Sequence, residues 1–389
     1  MRSYVTPRLG ILTFGHFAID SYSSFFAPLL PLLVAKLHLS LTLVGTLVAL
    51  ASVTSSFSQP LFGLLADRLR RPWFVAFGPL IAAVFMSGLG LAPTYGTLVA
   101  LLMLAGVGVA AFHPQAAVLA SETSPRRGLA MAFFVTGGTI GFSVGPIFSA
   151  GLVSAFGLDH TWIAAAPGLL ASALLIGWFS RTAPKPHRET VRPPLRALRP
   201  VLRPLGLLYF ATVARATVSY GFMTFLPLYL HGRGFSLESS GFVLSLYLLA
   251  GALGGFVGGW LSDRIGGLRV IAGSFTLATP LFVAFLFLPD RAAIPCIVLG
   301  AFMLQTSLPV YVVMGQELSP AHSSTISSLL MGAAWGMGAL LIGPIGALGD
   351  RSGLHAALGA LSAMLLVGLT CALLLSGSRA RALAPAEAN

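Results

Sequence analysis

GLLADRLRR occupies residues 63–71 and GWLSDRIGG residues 259–267. Gly, Leu, Asp and Arg recur between them at a constant offset of 196, and each copy closes a long apolar stretch. Pro31 and Pro227 keep the same offset. Glu122-Thr-Ser-Pro125 matches Glu317-Leu-Ser-Pro320 at an offset of 195, and Gly145-Pro146 matches Gly343-Pro344 at 198. The chain is an internal duplication, and the duplicated material is apolar.

Outward from these strings the sequence divides into runs long enough to cross a bilayer, for which about 20 mostly apolar residues suffice. Six lie at roughly 9–36, 41–66, 73–92, 96–121, 128–156 and 161–180. Six more lie at roughly 205–230, 237–262, 268–288, 293–316, 324–348 and 354–376. The expected fold is an all-α membrane protein of twelve transmembrane helices in two pseudo-symmetric six-helix bundles, 1–180 and 205–389, joined by a basic linker at 181–204. Composition agrees: 56% of the residues are hydrophobic, 9% are charged, and mean hydropathy is +0.89, against about 25% charged in a soluble domain. The 44 Gly and 25 Pro are spread through the apolar stretches rather than gathered in one tract, as transmembrane helices allow.

A net charge of +12 would suit nucleic acid if it were gathered on a soluble face. Here it sits between the runs, and a nucleic-acid partner is not expected. With the N-terminus inside, eighteen Lys and Arg fall on inside segments and four on outside ones. The positive-inside rule then puts both termini and the linker in the cytoplasm, in a multi-pass inner-membrane protein. Arg2 and Arg8 precede a long span followed at once by a second, so a retained first helix is expected rather than a cleaved signal. Cys296 and Cys371 each lie inside an apolar run without CxxC or His spacing, so neither a disulfide nor a metal site is expected.

Charged side chains inside spans are costly and mark function by default. Asp20 and Arg215 fall about ten residues into the first and seventh runs, near mid-membrane at ~1.5 Å per residue. Arg215 maps beside Asp20 in the duplication, and the two are expected to be linked across one central cavity; a static neutralising pair is the alternative. His16 stands one turn before Asp20, placed to share a proton with it. His113-Pro114-Gln115 suits a solute or proton site or a simple kink. Gln59, Gln305 and Tyr311 are further polar candidates for the cavity lining. Gly137, Gly141 and Gly145, followed by Pro146, are spaced for close helix approach. Gly141-Phe-Ser143-Val-Gly145 matches the hydrolase GxSxG string, but that chemistry needs a strand-turn-helix, so an apolar helix makes the match accidental.

The duplicated GxLxDRxxR string resembles the signature of the major facilitator superfamily between its second and third helices, although Arg70 stands where that family carries Gly. GHFAIDSYSSFFAPLLPLL, GVGVAAFHPQAAVLA, GGTIGFSVGP and VYVVMGQELSP together resemble its fosmidomycin-resistance branch. The resemblance implies parallel six-helix halves and proton-driven efflux, drug export being one activity of relatives. It places Asp67, Arg68, Asp263 and Arg264 at gates, where a carboxylate beside a guanidinium binds helix ends in one state and releases them in the other. Glu122 and Glu317 close the fourth and tenth helices and are expected to pair with loop arginines. Gly141, Gly145 and Pro146 match a fifth-helix motif of facilitator antiporters; ordinary helix packing is the other account of them.

The expected activity is proton-coupled export of a small drug or metabolite, anionic solutes included, by a monomer, with no cofactor beyond the proton gradient. Asp20 with His16 or His113 would bind the proton, and Arg215 would attract solute charge or hold Asp20 ionised. The alternative is a nutrient symporter or metabolite exchanger of the same fold. An enzyme is not expected, since the sequence shows no HExxH, paired-Asp or nucleophile–base pattern.

Overall fold

A computed structural model describes residues 6–68, 72–123, 127–179 and 195–383, and among them all regular structure is helical. Ten helical stretches are single crossings: Pro7–Leu37, Leu41–Ala66, Trp73–Leu91, Tyr95–Ser121, Ala130–Phe156, Leu158–Phe179, Leu198–Gly232, Leu237–Ile265, Gly267–Phe287 and Asp290–Leu318. We number these spans one to ten. The next stretch, Thr325–Ser376, has 52 residues, far more than one crossing of ~30 Å takes up. Gly353 breaks it with φ 84° and ψ 161°, a backbone position where a Cβ would be strained. The stretch is therefore the eleventh and twelfth spans, and the expected twelve are present.

The faces turned outward are apolar. Phe210, Phe256 and Phe287 are 60%, 70% and 74% exposed, which suits lipid and would be an aggregation hazard in water.

Two compact units appear: Met1–Thr190 with Met223–Leu249, and Val191–Phe222 with Ala250–Asn389. In the first unit, the fifth span presses glycines onto the backbone of the first. A Cβ at Gly137 would fall 2.8 Å from the Thr13 carbonyl; at Gly141 and Gly145 it would overlap the carbonyls of Phe17 and Ser21. In the second unit Gly338 of the eleventh span sits against Ala216 and Thr217 of the seventh, the equivalent pair. The fourth span meets the second at Gly106 and Thr54, and the tenth meets the eighth at Phe302 and Gly254. The duplication read in the sequence is thus a duplication of contacts. Small residues let backbones approach where no hydrophobic effect drives helices together.

Two spans contain a π turn, Val53–Phe57 in the second and Ser328–Ala333 in the eleventh. The first span is also interrupted. Its helix ends at Ser23, a 3-10 turn follows at Ala27–Leu29, and the helix resumes at Leu30–Leu37. Pro28 and Pro31 lack the N–H groups that would carry the ladder through.

Candidate functional site

Asp20 lies near the middle of the first span, three residues before that interruption. Its Oδ2 is 3.2 Å from Nε2 of His16, one turn earlier. Its Oδ1 is 3.1 Å from Nε2 of His113, which reaches it from the fourth span. Asp20 and His113 keep 17% and 24% of their side-chain surface exposed, and His16 keeps 9%.

The far side of each imidazole fixes the near side. Nδ1 of His16 is 2.8 Å from the Phe134 carbonyl, and Nδ1 of His113 is 2.7 Å from the Val109 carbonyl. A carbonyl oxygen only accepts, so the hydrogen-bond partners assign each Nδ1 a hydrogen. In a neutral ring Nε2 is then a bare acceptor turned toward a carboxylate oxygen. Both contacts become attractive only when a cation lies in them, whether protons on the cluster or a metal ion.

The surroundings hold these rings in place. Phe134 stacks on His16 with centroids 4.1 Å apart, and His113 meets His16 edge to face at 5.0 Å. Gly138, on the fifth span, leaves the room. A Cβ there would lie 2.7 Å from Asp20 Oδ2 and would overlap the His16 ring. Gly138 and Phe134 were not singled out in the sequence. The only available signal was the Gly137-Gly138 doublet, in which the second glycine falls off the four-residue spacing.

Arg215, in the second unit, is wholly buried. Its Nη1 donates to Gln305 Oε1 at 2.8 Å, and Gln305 Nε2 donates to Ser219 Oγ at 3.3 Å. The guanidinium lies over the Trp335 ring at 4.6 Å, and Tyr220 meets that ring edge-on at 5.8 Å. The structure thus joins Arg215 to Gln305 as two sequence candidates of one cluster. It adds Trp335, which one sequence does not distinguish from a packing aromatic. The ion-pair partners of Asp20 come from its own unit.

Gln115 and Gln59 stand apart: Gln115 accepts from the Val75 N–H and Gln59 donates to the Ser55 carbonyl. Tyr311 is fully buried and lies within electrostatic reach of Arg215. Asp263 and Arg264 are exposed at the end of the eighth span, with Arg264 over Trp260 at 3.8 Å. Asp67 and Arg68 end the second span's helix, and their side chains lie outside the described residues, as does the linker through residue 194. Glu122 and Glu317 are exposed. Pro146 takes the helical donor from the Phe142 carbonyl, which accepts from Ser24 Oγ at 2.7 Å instead. Ser143 sits in unbroken helix and donates to the Thr139 carbonyl, which leaves the GxSxG string without a nucleophile elbow.

The model of the Major Facilitator Superfamily matches residues 12–305. The chain belongs to this superfamily. It is 28% identical over 387 residues to the uncharacterized MFS-type transporter YfnC of Bacillus subtilis, covering 97% of this chain and 95% of that one. It is 26% identical over 359 residues to the fosmidomycin resistance protein of Escherichia coli, covering 89% and 87%. In fold it is similar to a bacterial homolog of the human lysosomal transporter Spinster, in an inward-facing, unoccupied conformation. The TM-score is 0.77 at 18% identity, covering 99% of this chain and 100% of that one. As a facilitator, the chain is a multi-pass membrane transporter.

Proposed function

We propose that this chain is a proton-coupled exporter of a small solute in the inner membrane, with both ends and the linker in the cytoplasm. The observation that carries the reading is the Asp20 cluster, a mid-span carboxylate between two imidazoles whose bare nitrogens need cations to face it. A site with that requirement, partly open to water, can load and release protons as its surroundings alternate. Arg215 with Gln305 supplies the solute end. A guanidinium backed by an amide and flanked by an indole suits an anionic group on a compact solute.

The coupling we assign to Asp20 and Arg215 is conformational; the two ion-pair contacts of Asp20, to His16 and His113, lie within the first unit. The relation to a fosmidomycin resistance protein makes fosmidomycin, a phosphonate, the first probe. Everted vesicles with an acid interior are expected to accumulate it, a protonophore to abolish accumulation, and Asp20→Asn to do the same at normal expression. Accumulation indifferent to the pH gradient would remove proton coupling; uptake only into right-side-out vesicles would make the chain an importer. If fosmidomycin is not carried, the same assay follows a growth screen of a transporter-deficient host against antimicrobials and other phosphonates.

A further inference from the structure

Protons are one kind of cation that satisfies the Asp20 cluster, and the geometry points to another. We propose that His16, Asp20 and His113 form a binding site for a divalent transition metal ion of the zinc class. The inference rests on where the donor atoms lie and stands whether or not protons drive transport.

The ligating atoms of the three residues all lie within 4.8 Å of one another, and the two nitrogen–oxygen separations are 3.2 and 3.1 Å. A tetrahedral ion with ligands at ~2.0–2.1 Å holds neighbouring ligands about 3.3 Å apart, so each nitrogen already stands near ligand spacing from one carboxylate oxygen, and any pair nearer the 4.8 Å limit must draw closer around the ion. Two nitrogens and a carboxylate suit zinc, cobalt or nickel; magnesium and calcium take oxygen shells instead.

What separates this cluster from a chance meeting is the arrangement behind the ligands. A metal-binding histidine usually donates its other ring N–H to a carbonyl or carboxylate, which fixes the tautomer and aims the lone pair. Both histidines do so here, to Phe134 and to Val109 on two different helices. A buried packing histidine also satisfies its ring N–H; the distinguishing feature here is that two such histidines turn their remaining nitrogens toward one carboxylate. The remaining exposure of Asp20 and His113 leaves an open coordination position, as in sites that exchange a ligand rather than in closed structural ones. Gly138 leaves the space that a side chain would close.

Metal and protons would compete for the same two nitrogens, so metal affinity falls as pH falls. Bound metal would also block any cycle in which the cluster must release its cation.

The test uses the full-length protein, purified through a tag without histidine and stripped with chelator. Cobalt(II) is expected to give the visible absorption of a four- or five-coordinate site, and zinc to displace it at one ion per chain. His16→Gln, Asp20→Asn and His113→Gln are each expected to weaken zinc binding roughly 10–100-fold or more. Zinc is expected to raise the melting temperature of the parent protein and not of these variants. Because a variant can lose binding by misfolding, His113→Cys is the second arm: it keeps a ligand and should restore binding with a thiolate charge-transfer band. Absence of saturable binding in the parent overturns the proposal, as does binding unchanged in all three variants.

The flux assay of the preceding subsection, run with chelator present, separates the two readings. Proton-driven flux without zinc binding leaves only the transport reading standing; zinc binding without proton-driven flux leaves only the metal site.

Discussion

Gly138 is seated against Asp20 with no space for a side chain: a methyl there would lie 2.7 Å from Oδ2. Gly138→Ala is therefore expected to push Asp20 or His16 out of register and reduce transport severely, with an overpacking cost of about 1–3 kcal/mol. Gly151→Ala, on the same helix with nothing within 4 Å of its Cβ, should transport normally. Initial rates normalised to membrane-inserted protein measure both. Equal behaviour of the two variants would show that the cluster accommodates a methyl.

Asp20 and Arg215 occupy equivalent helices of the two halves, and the test of their linkage is a double-mutant cycle. Asp20→Asn and Arg215→Gln are each expected to abolish uphill transport. Combined, they should recover expression yet still fail to concentrate solute, retaining downhill exchange. Full recovery of transport would make the pair purely structural. Defects that add within roughly 0.3–0.5 kcal/mol in expression and binding would show no interaction.

Arg215→Lys keeps the charge but loses the planar contact with Trp335 and the aimed bond to Gln305. The expected result is solute affinity reduced about tenfold, or ~1.4 kcal/mol, with the protein still folded. Trp335→Leu should cost roughly 0.5–2 kcal/mol through the same contact, while Trp335→Phe retains part of it. Affinities unchanged in Arg215→Lys would restrict Arg215 to a charge role.

At the ends of the second and eighth spans, Asp67→Asn and Asp263→Asn are expected to slow turnover more than they weaken binding. A ligand shifts a conformational equilibrium only by its difference in affinity between states, so removing a gate contact changes populations and rates first. Cysteine accessibility on both sides of the membrane measures the populations. Weakened binding with unchanged accessibility would take these residues out of the gate.

The fold was legible because its signals are long-range in kind but local in form: twenty-residue apolar runs and a repeated nine-residue string. The gap read between the runs at 324–348 and 354–376 falls where Gly353 breaks the final helix. The site was legible by halves. His16 and Asp20 share a face one turn apart, and periodicity shows that. His113 is 93 residues from Asp20, and no spacing rule carries a contact across three helices. Gly138 escaped because a glycine that makes room for a neighbour has no pattern of its own. Trp335 escaped because cation–aromatic contacts depend on a helix rotation that composition does not encode.

The π turn at Val53–Phe57 is in effect a one-residue insertion carried in the chain. A residue added to an α-helix turns everything after it by about 100°, so the face that the second span shows beyond Phe57 is not the face its first half would extrapolate to. Deleting one residue there, Ser56 for instance, would let the regular pitch resume and leave Gln59 and Gly63 on the bearing they now have, whereas tightening the wide turn with all its residues kept would swing both by about 100°. The direction in which the far end of this span faces is thus set by the width of one turn as much as by the residues beyond it.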